Sequence, residues 1–109
     1  MELKEYQKKA KETAIYPKLV YPWIYPAFGL SGETGEVLEK LKRVIRSKNG
    51  VVDAESLEGL KKEIGDVLWY LAMLSEELGV SMDDIAEENI AKLRSRKERG
   101  VLHSEGDNR

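Results

Sequence analysis

Residues 53–79 read DAESLEGLKKEIGDVLWYLAMLSEELG, with apolar side chains at Leu57, Leu60, Ile64, Val67, Leu68, Leu71, Leu74 and Leu78. Steps of three and four sustained over this length are the period of a helix with one broad apolar face. Asp53 is a good N-cap residue, and Gly79 is the residue type that stops a helix. The stretch therefore predicts one long amphipathic helix, and no convincing strand occurs elsewhere in the chain.

Three more helices are expected around it. Upstream, Leu30, Val37, Leu38, Leu41, Val44 and Ile45 mark a helix over about 26–47, with Pro26 as its first residue, where the missing N–H costs nothing. Gly29, Gly32 and Gly35 recur along it. Glycine weakens a helix by about 1 kcal/mol relative to alanine, so they call for a reason, such as a closely approaching backbone or room for a ligand. The turn 47–50, SKNG, separates this helix from the long one. Leu3, Tyr6, Ala10 and Ala14 predict a first helix over about 2–14, ended near Ile15 by Pro17. Between them, residues 16–28 interleave prolines with aromatics and read as irregular. Downstream, Ser81 caps a fourth helix that carries Met82, Ile85, Ala86, Ile90 and Leu93 inward. The expectation is an all-α, four-helix-bundle-like single domain over 1–97, assembled into a dimer or tetramer, with a polar tail over 98–109.

Composition removes several function classes. The net charge of −2, from 18 basic and 20 acidic residues, gives no general attraction for a nucleic acid polymer. The absence of cysteine excludes a disulfide frame or a cysteine–zinc site, and the single histidine, His103, excludes a multi-histidine site in one chain. No apolar run approaches the ~20 residues that span a bilayer, and the charged start, MELKE, is unlike a signal peptide. The expectation is a cytoplasmic protein that makes no use of a membrane.

The chemistry lies in four acids. Glu33 and Glu36 are three apart on the second helix, and Glu63 and Asp66 are three apart on the third. Each pair shares a helix face, at the border of the apolar stripe. Carboxylates near a core are costly unless something positive joins them. A hard divalent ion, Mg²⁺ or Mn²⁺, suits an all-oxygen set, and facing helices are a known frame for such sites. The plain alternative is a solvated helix face.

The run GETGE (32–36), followed after residues 37–62 by EIGDVLWY (63–70), resembles the MazG-type nucleotide pyrophosphohydrolases of the all-α NTP pyrophosphatase superfamily. Both the E-x-x-E and the E-x-x-D halves are intact. Asn89, Lys92, Leu93 and Arg96 resemble a third element, N-x-x-K-L-x-x-R, and the likeness covers about residues 25–97. It implies an oligomeric helical bundle with Mg²⁺ at Glu33, Glu36, Glu63 and Asp66. It also implies hydrolysis of NTPs or dNTPs to monophosphate and pyrophosphate, for nucleotide-pool control or housecleaning.

In that reading the ion acidifies a water that attacks the α-phosphorus, and Glu33 or Glu36 orients it or takes its proton. Lys92 and Arg96, four apart on one face, would receive phosphate oxygens, with Asn89 one turn before them. Trp23, with Tyr21, Tyr25 and Phe28, would stack on the base or else cap the bundle with apolar mass. Tyr70, one turn after Asp66, would close the pocket near the sugar, and Trp69 would pack in the core or an interface. The competing readings are a phosphoribosyl-ATP or dUTP pyrophosphohydrolase of the same superfamily, and a catalytically idle helical interaction module. A ferritin-like di-iron site wants Glu-x-x-His pairs, which the chain lacks.

Overall fold

The computed structural model describes all of Met1–Arg109 as four helices and no strand: α1 (Leu3–Glu12), α2 (Ile24–Lys48), α3 (Ala54–Glu77) and α4 (Met82–Glu98). Several ends have a local cause. The Asp53 carboxylate accepts the Ser56 N–H at 2.8 Å and starts α3. Ser81 Oγ accepts the Asp83 N–H at 3.1 Å and starts α4. Asn49 and Gly50, with φ of 52° and 77°, turn the chain between α2 and α3 in the left-handed region. Lys48 Nζ seals that corner, donating to both Asp53 oxygens at 2.9 and 3.1 Å and to Ser56 Oγ at 2.8 Å. Lys48 and the Ser56 N–H together hold the Asp53 carboxyl down at about 2.

Two boundaries differ from expectation. α2 begins at Ile24, so Pro26 is its third residue. It is still within the first turn, whose N–H groups have no intrahelical partner, and it is buried. α1 ends at Glu12, two residues before the expected end, and Pro17, which has no N–H for the Thr13 carbonyl, bars any continuation.

α2 and α3 form an antiparallel hairpin, α1 lies on α3, and α4 packs chiefly on α1. The packing is thus not a closed four-helix bundle within one chain. Its small core is Ala10, Ala72, Met73 and Met82, flanked by Tyr6, Tyr16, Leu68 and Trp69. Gln7, buried beside it, acts as a clamp. Its Nε2 donates to the Val80 carbonyl at 3.0 Å and its Oε1 accepts the Met82 N–H at 2.8 Å. One α1 side chain thereby fixes the whole turn between α3 and α4. At the same end of α3, Tyr16 and Lys18 both donate to Glu77, which anchors the segment after α1.

The apolar stripes expected to be buried are only partly so. Leu57, Ile64, Leu71 and Leu78, spaced by seven along α3, are each at least 40% exposed, as are Phe28, Leu38 and Ile45 on α2. The accessible surface is 8192 Å², whereas a compact monomer of this mass presents about 6,100 Å². The radius of gyration is 16.9 Å, against about 13 Å for a compact chain of this length. No helix is long and apolar enough to cross a membrane.

The Gln7 clamp sets a stability prediction. Gln7→Met keeps the volume but leaves the Val80 carbonyl and the Met82 N–H unpaired, at a cost of about 2 kcal/mol or more. Thermal melts should show a midpoint lowered by several degrees, and an unchanged midpoint would mean that the clamp contributes nothing.

Candidate active site

The hairpin register builds the site. Gly29 meets Tyr70, Lys40 lies beside Gly59, and Lys48 bonds Ser56. The partners run in opposite directions along α2 and α3, so Glu33 is carried opposite Glu63 and Asp66. One carboxylate oxygen from each of these three lies within 4.8 Å of the others. Glu33 and Glu63 are half-buried and Asp66 is exposed. Glu36 is exposed and stands outside this group, although its charge is felt at Glu33. Burial pushes the Glu33 carboxyl above the usual glutamate range. The adjoining Glu63 carboxyl and the charges of Asp66 and Glu36 push it the same way.

Two residues beside the acids, Lys40 and Tyr6, were absent from the sequence-based site. Lys40 Nζ is 3.7 Å from Glu63 Oε1, and it is the one cation within ion-pair distance of the cluster. It lies four residues, one turn, beyond Glu36, so the helix-face reasoning that paired the acids three apart would have found it. Tyr6 on α1 faces Asp66, and its hydroxyl is raised by burial and by that charge. Only tertiary packing brings α1 there, so no local pattern reveals Tyr6. Tyr25, read from sequence only among the aromatics ahead of the acids, packs near Tyr70 with ring centroids 6.5 Å apart and stacks on Tyr16 at 5.2 Å.

Tyr70 sits where its spacing implied. Its hydroxyl is pushed up by burial, then by Tyr25, Glu33 and Asp66. Gly29 makes this possible, because a Cβ there would lie 2.1 Å from the Tyr70 ring. The close approach expected at the glycines is therefore that of a side chain, and it occurs at Gly29 alone. Gly32 and Gly35 face open space. Trp69 packs against the core, with Nε1 donating to Thr13 Oγ at 2.8 Å. Trp23 is exposed at the start of α2 and stacks on Tyr21 with centroids 5.2 Å apart.

The α4 residues are not gathered at the acids. Asn89 borders an apolar groove of about 290 Å³ with Leu3, Leu68, Leu71 and Ile85. Lys92 is exposed. Arg96 is buried, 4% exposed, beneath the C-terminal segment, and donates to the Asp107 carbonyl at 2.6 Å. That segment is fastened by Arg109, whose guanidinium donates to the carbonyls of Val101, Leu102 and Gly106. His103 is exposed.

The donor set offers carboxylate oxygens alone, with one distant ammonium to offset them. Such a cluster repels itself and suits a hard divalent cation. Fold and site together define an all-α protein with a carboxylate centre set between two antiparallel helices, rings at one end and a lysine at the other. The chain belongs to the family of the MazG nucleotide pyrophosphohydrolase domain, which matches residues 27–101. That span holds all four acids, Tyr70, Asn89, Lys92 and Arg96, but not Trp23 or α1. The chain is also similar to the "Gene 37 protein" of Mycobacterium phage L5, at 42% identity over 109 residues, covering 95% of this chain and 96% of that protein. No solved structure matches it.

Repulsion at the cluster can be measured. The raised Glu33 carboxyl binds a proton more tightly folded than unfolded. Its contribution is therefore full below the ordinary glutamate value of ~4.3 and is lost as pH rises through the raised value. In EDTA at neutral pH, Glu33→Gln should melt above the parent protein, and the gap should close as pH falls toward 4. Mg²⁺ should raise the parent's midpoint and leave the variant's nearly unmoved. A variant that melts below the parent in EDTA would contradict this account.

Proposed function

We propose that the protein hydrolyses nucleoside triphosphates, NTP or dNTP, to the monophosphate and pyrophosphate. The convergence of Glu33, Glu63 and Asp66 from two helices is the observation that carries this reading, and the family match supports it. Glu33, Glu63 and Asp66, with Glu36 one turn away, would hold Mg²⁺, with Mn²⁺ as a substitute. The ion supplies charge neutralisation for the phosphates and acidifies water.

The chain's own groups do the rest. A water oxygen forms a new bond to the α-phosphorus, and the bond from that phosphorus to the bridging oxygen breaks. Pyrophosphate leaves with the electron pair. Glu33 or Glu36 would orient the water or take its proton. Tyr70, wedged against Gly29, bounds the sugar side, and Tyr25 and Trp23 offer ring faces toward the base. Pool control or housecleaning is the role such a reaction would serve.

The exposed seams on α2 and α3 support association into a homodimer or homotetramer. The excess of surface over a compact monomer is of the size that two chains bury together. Asn89 and Lys92 on α4 would then reach substrate across chains, whereas Arg96 first has to leave Asp107. Light scattering on the purified protein should give a mass of at least two chains. Ile64→Glu, placed in the α3 seam, should shift it toward one chain, and a monomeric parent would remove this part of the reading.

The reaction is tested by incubation with each of the common NTPs and dNTPs, dUTP and phosphoribosyl-ATP, with Mg²⁺ or with EDTA. Monophosphate and pyrophosphate are expected, abolished by EDTA and reduced by about a hundredfold or more in Glu63→Gln, since such electrostatic groups are worth that much. Diphosphate and orthophosphate would place attack at the γ-phosphate and sink the mechanism. Turnover confined to dUTP or phosphoribosyl-ATP would select those branches. No turnover on any of them would favour the idle interaction module.

A further inference from the structure

Beyond the acids, toward the hairpin corner, α2 and α3 enclose a groove of about 250 Å³ bordered by Lys40, Arg43, Ser47, Lys48, Ser56 and Gly59. Glu55 is the one carboxylate on its rim, and Asp53 lies just outside it, bonded to Lys48. Two of the three cations are not committed. Arg43 makes no ion pair or hydrogen bond. Lys40 approaches Glu63 only to 3.7 Å, too long for a hydrogen bond, so its N–H donors are free. Lys40 leans across Gly59, with Nζ 3.7 Å from where a Cβ would be. This places its ammonium between the acid cluster and the groove.

The α2–α3 seam therefore carries three zones in order. Tyr25 and Tyr70 stand at one end, with Glu33, Glu63 and Asp66 in the middle and Lys40 with Arg43 at the other. Seven residues of helix separate Glu33 from Lys40, about 10 Å at ~1.5 Å per residue. A nucleoside triphosphate has the same order of parts: a ring system, a reacting phosphate, then two terminal phosphates.

We propose that this groove is the pyrophosphate subsite, in which Lys40 and Arg43 bind the two departing phosphates. This rests on the functional reading above, and it fixes the direction in which the substrate lies. Cleavage at the α-phosphorus puts new negative charge on the bridging oxygen and its pyrophosphate. Lys40 stands on that side of the acids, where a positive group stabilises the charge as it develops. Arg43 offers a planar fork that matches phosphate oxygens. The groove also supplies leaving-group cations that a single chain does not offer from Lys92 and the covered Arg96.

Calorimetry with inorganic pyrophosphate and, separately, with nucleoside monophosphate, both in Mg²⁺, tests the subsite. Lys40→Met and Arg43→Met should each weaken pyrophosphate binding about tenfold, in line with loss of a charge-assisted contact, and leave monophosphate binding within about twofold. Lys40→Arg should retain pyrophosphate binding, and Lys9→Met, a matched loss of charge on α1, should change neither. Circular dichroism of each variant checks its fold, and exposed Arg43 carries the test if Lys40→Met is unstable. Pyrophosphate binding that is absent from the parent, unchanged in both variants, or weakened in step with monophosphate would overturn the subsite. Product analysis on the parent is scored independently. Lys40-dependent pyrophosphate binding without triphosphate cleavage would discard the functional reading and keep the subsite.

Discussion

Mutual repulsion among three carboxylates within 4.8 Å is the constraint around which this chain is organised. Nothing in the acids themselves favours that arrangement. It persists because the hairpin is fixed elsewhere, by Lys48 bridging Asp53 and Ser56 at one end and by the Tyr70 ring set into the Gly29 notch at the other. Antiparallel helices joined at a fixed corner have one register, and that register sets Glu33 against Glu63 and Asp66. Like charges held together at a cost in stability make this cluster the candidate site, since local rules are broken most often where function requires it.

The same hairpin explains the open shape. The face that bears the acids is left open by α1 and α4 except where Tyr6 stands near Asp66. Those helices gather instead around Ala72 and Met73 on another side of α3. A protomer assembled this way has too few layers to bury both apolar edges of α3, which leaves the seven-residue series from Leu57 to Leu78 exposed. Isolated exposed leucines would need no explanation, but a regular stripe has the form of a helix-packing seam. Exposure and site geometry are thus two results of one packing choice.

Much of this was readable in the sequence, for identifiable reasons. Helix periodicity, the Asp53 and Ser81 caps and the Gly79 stop are local signals, and all of them hold. The i, i+3 spacing pointed to all four acids before any tertiary contact was known, but the structure gathers only Glu33, Glu63 and Asp66 and leaves Glu36 outside. Bundle closure was not legible. The apolar pattern of α4 predicts one buried face, but of that face only Met82 is buried, Ile85, Ile90 and Leu93 stay exposed, and α4 touches chiefly α1. Pro26 and Pro17 placed two boundaries only to within about two residues, because proline restricts where a helix can continue without fixing the residue at which it starts or stops. Tyr6 was invisible because its proximity to Asp66 depends on how α1 docks. Arg96 illustrates the converse: its spacing with Lys92 was real, but the C-terminal segment claims its guanidinium.

Charge in this protein is segregated rather than scarce. A net charge of −2 suggests a nearly neutral surface, yet along one helical seam the sign passes from acidic at Glu33, Glu63 and Asp66 to basic at Lys40 and Arg43 within about three turns, a turn being ~5.4 Å. Uniform charge of either sign would fail a polyphosphate ligand. All-acidic walls would repel it, and all-basic walls would bind product as tightly as substrate. A seam that is acidic where a divalent ion is wanted and basic where free phosphates emerge attracts the ligand in one orientation and opposes the reverse one. Lys40, at the boundary, touches both regimes: it offsets Glu63 from one side and faces the groove on the other. In the proposed subsite, electrostatics along the hairpin would set the direction of the substrate, and the aromatic end would have only to receive the part of the ligand that carries no charge.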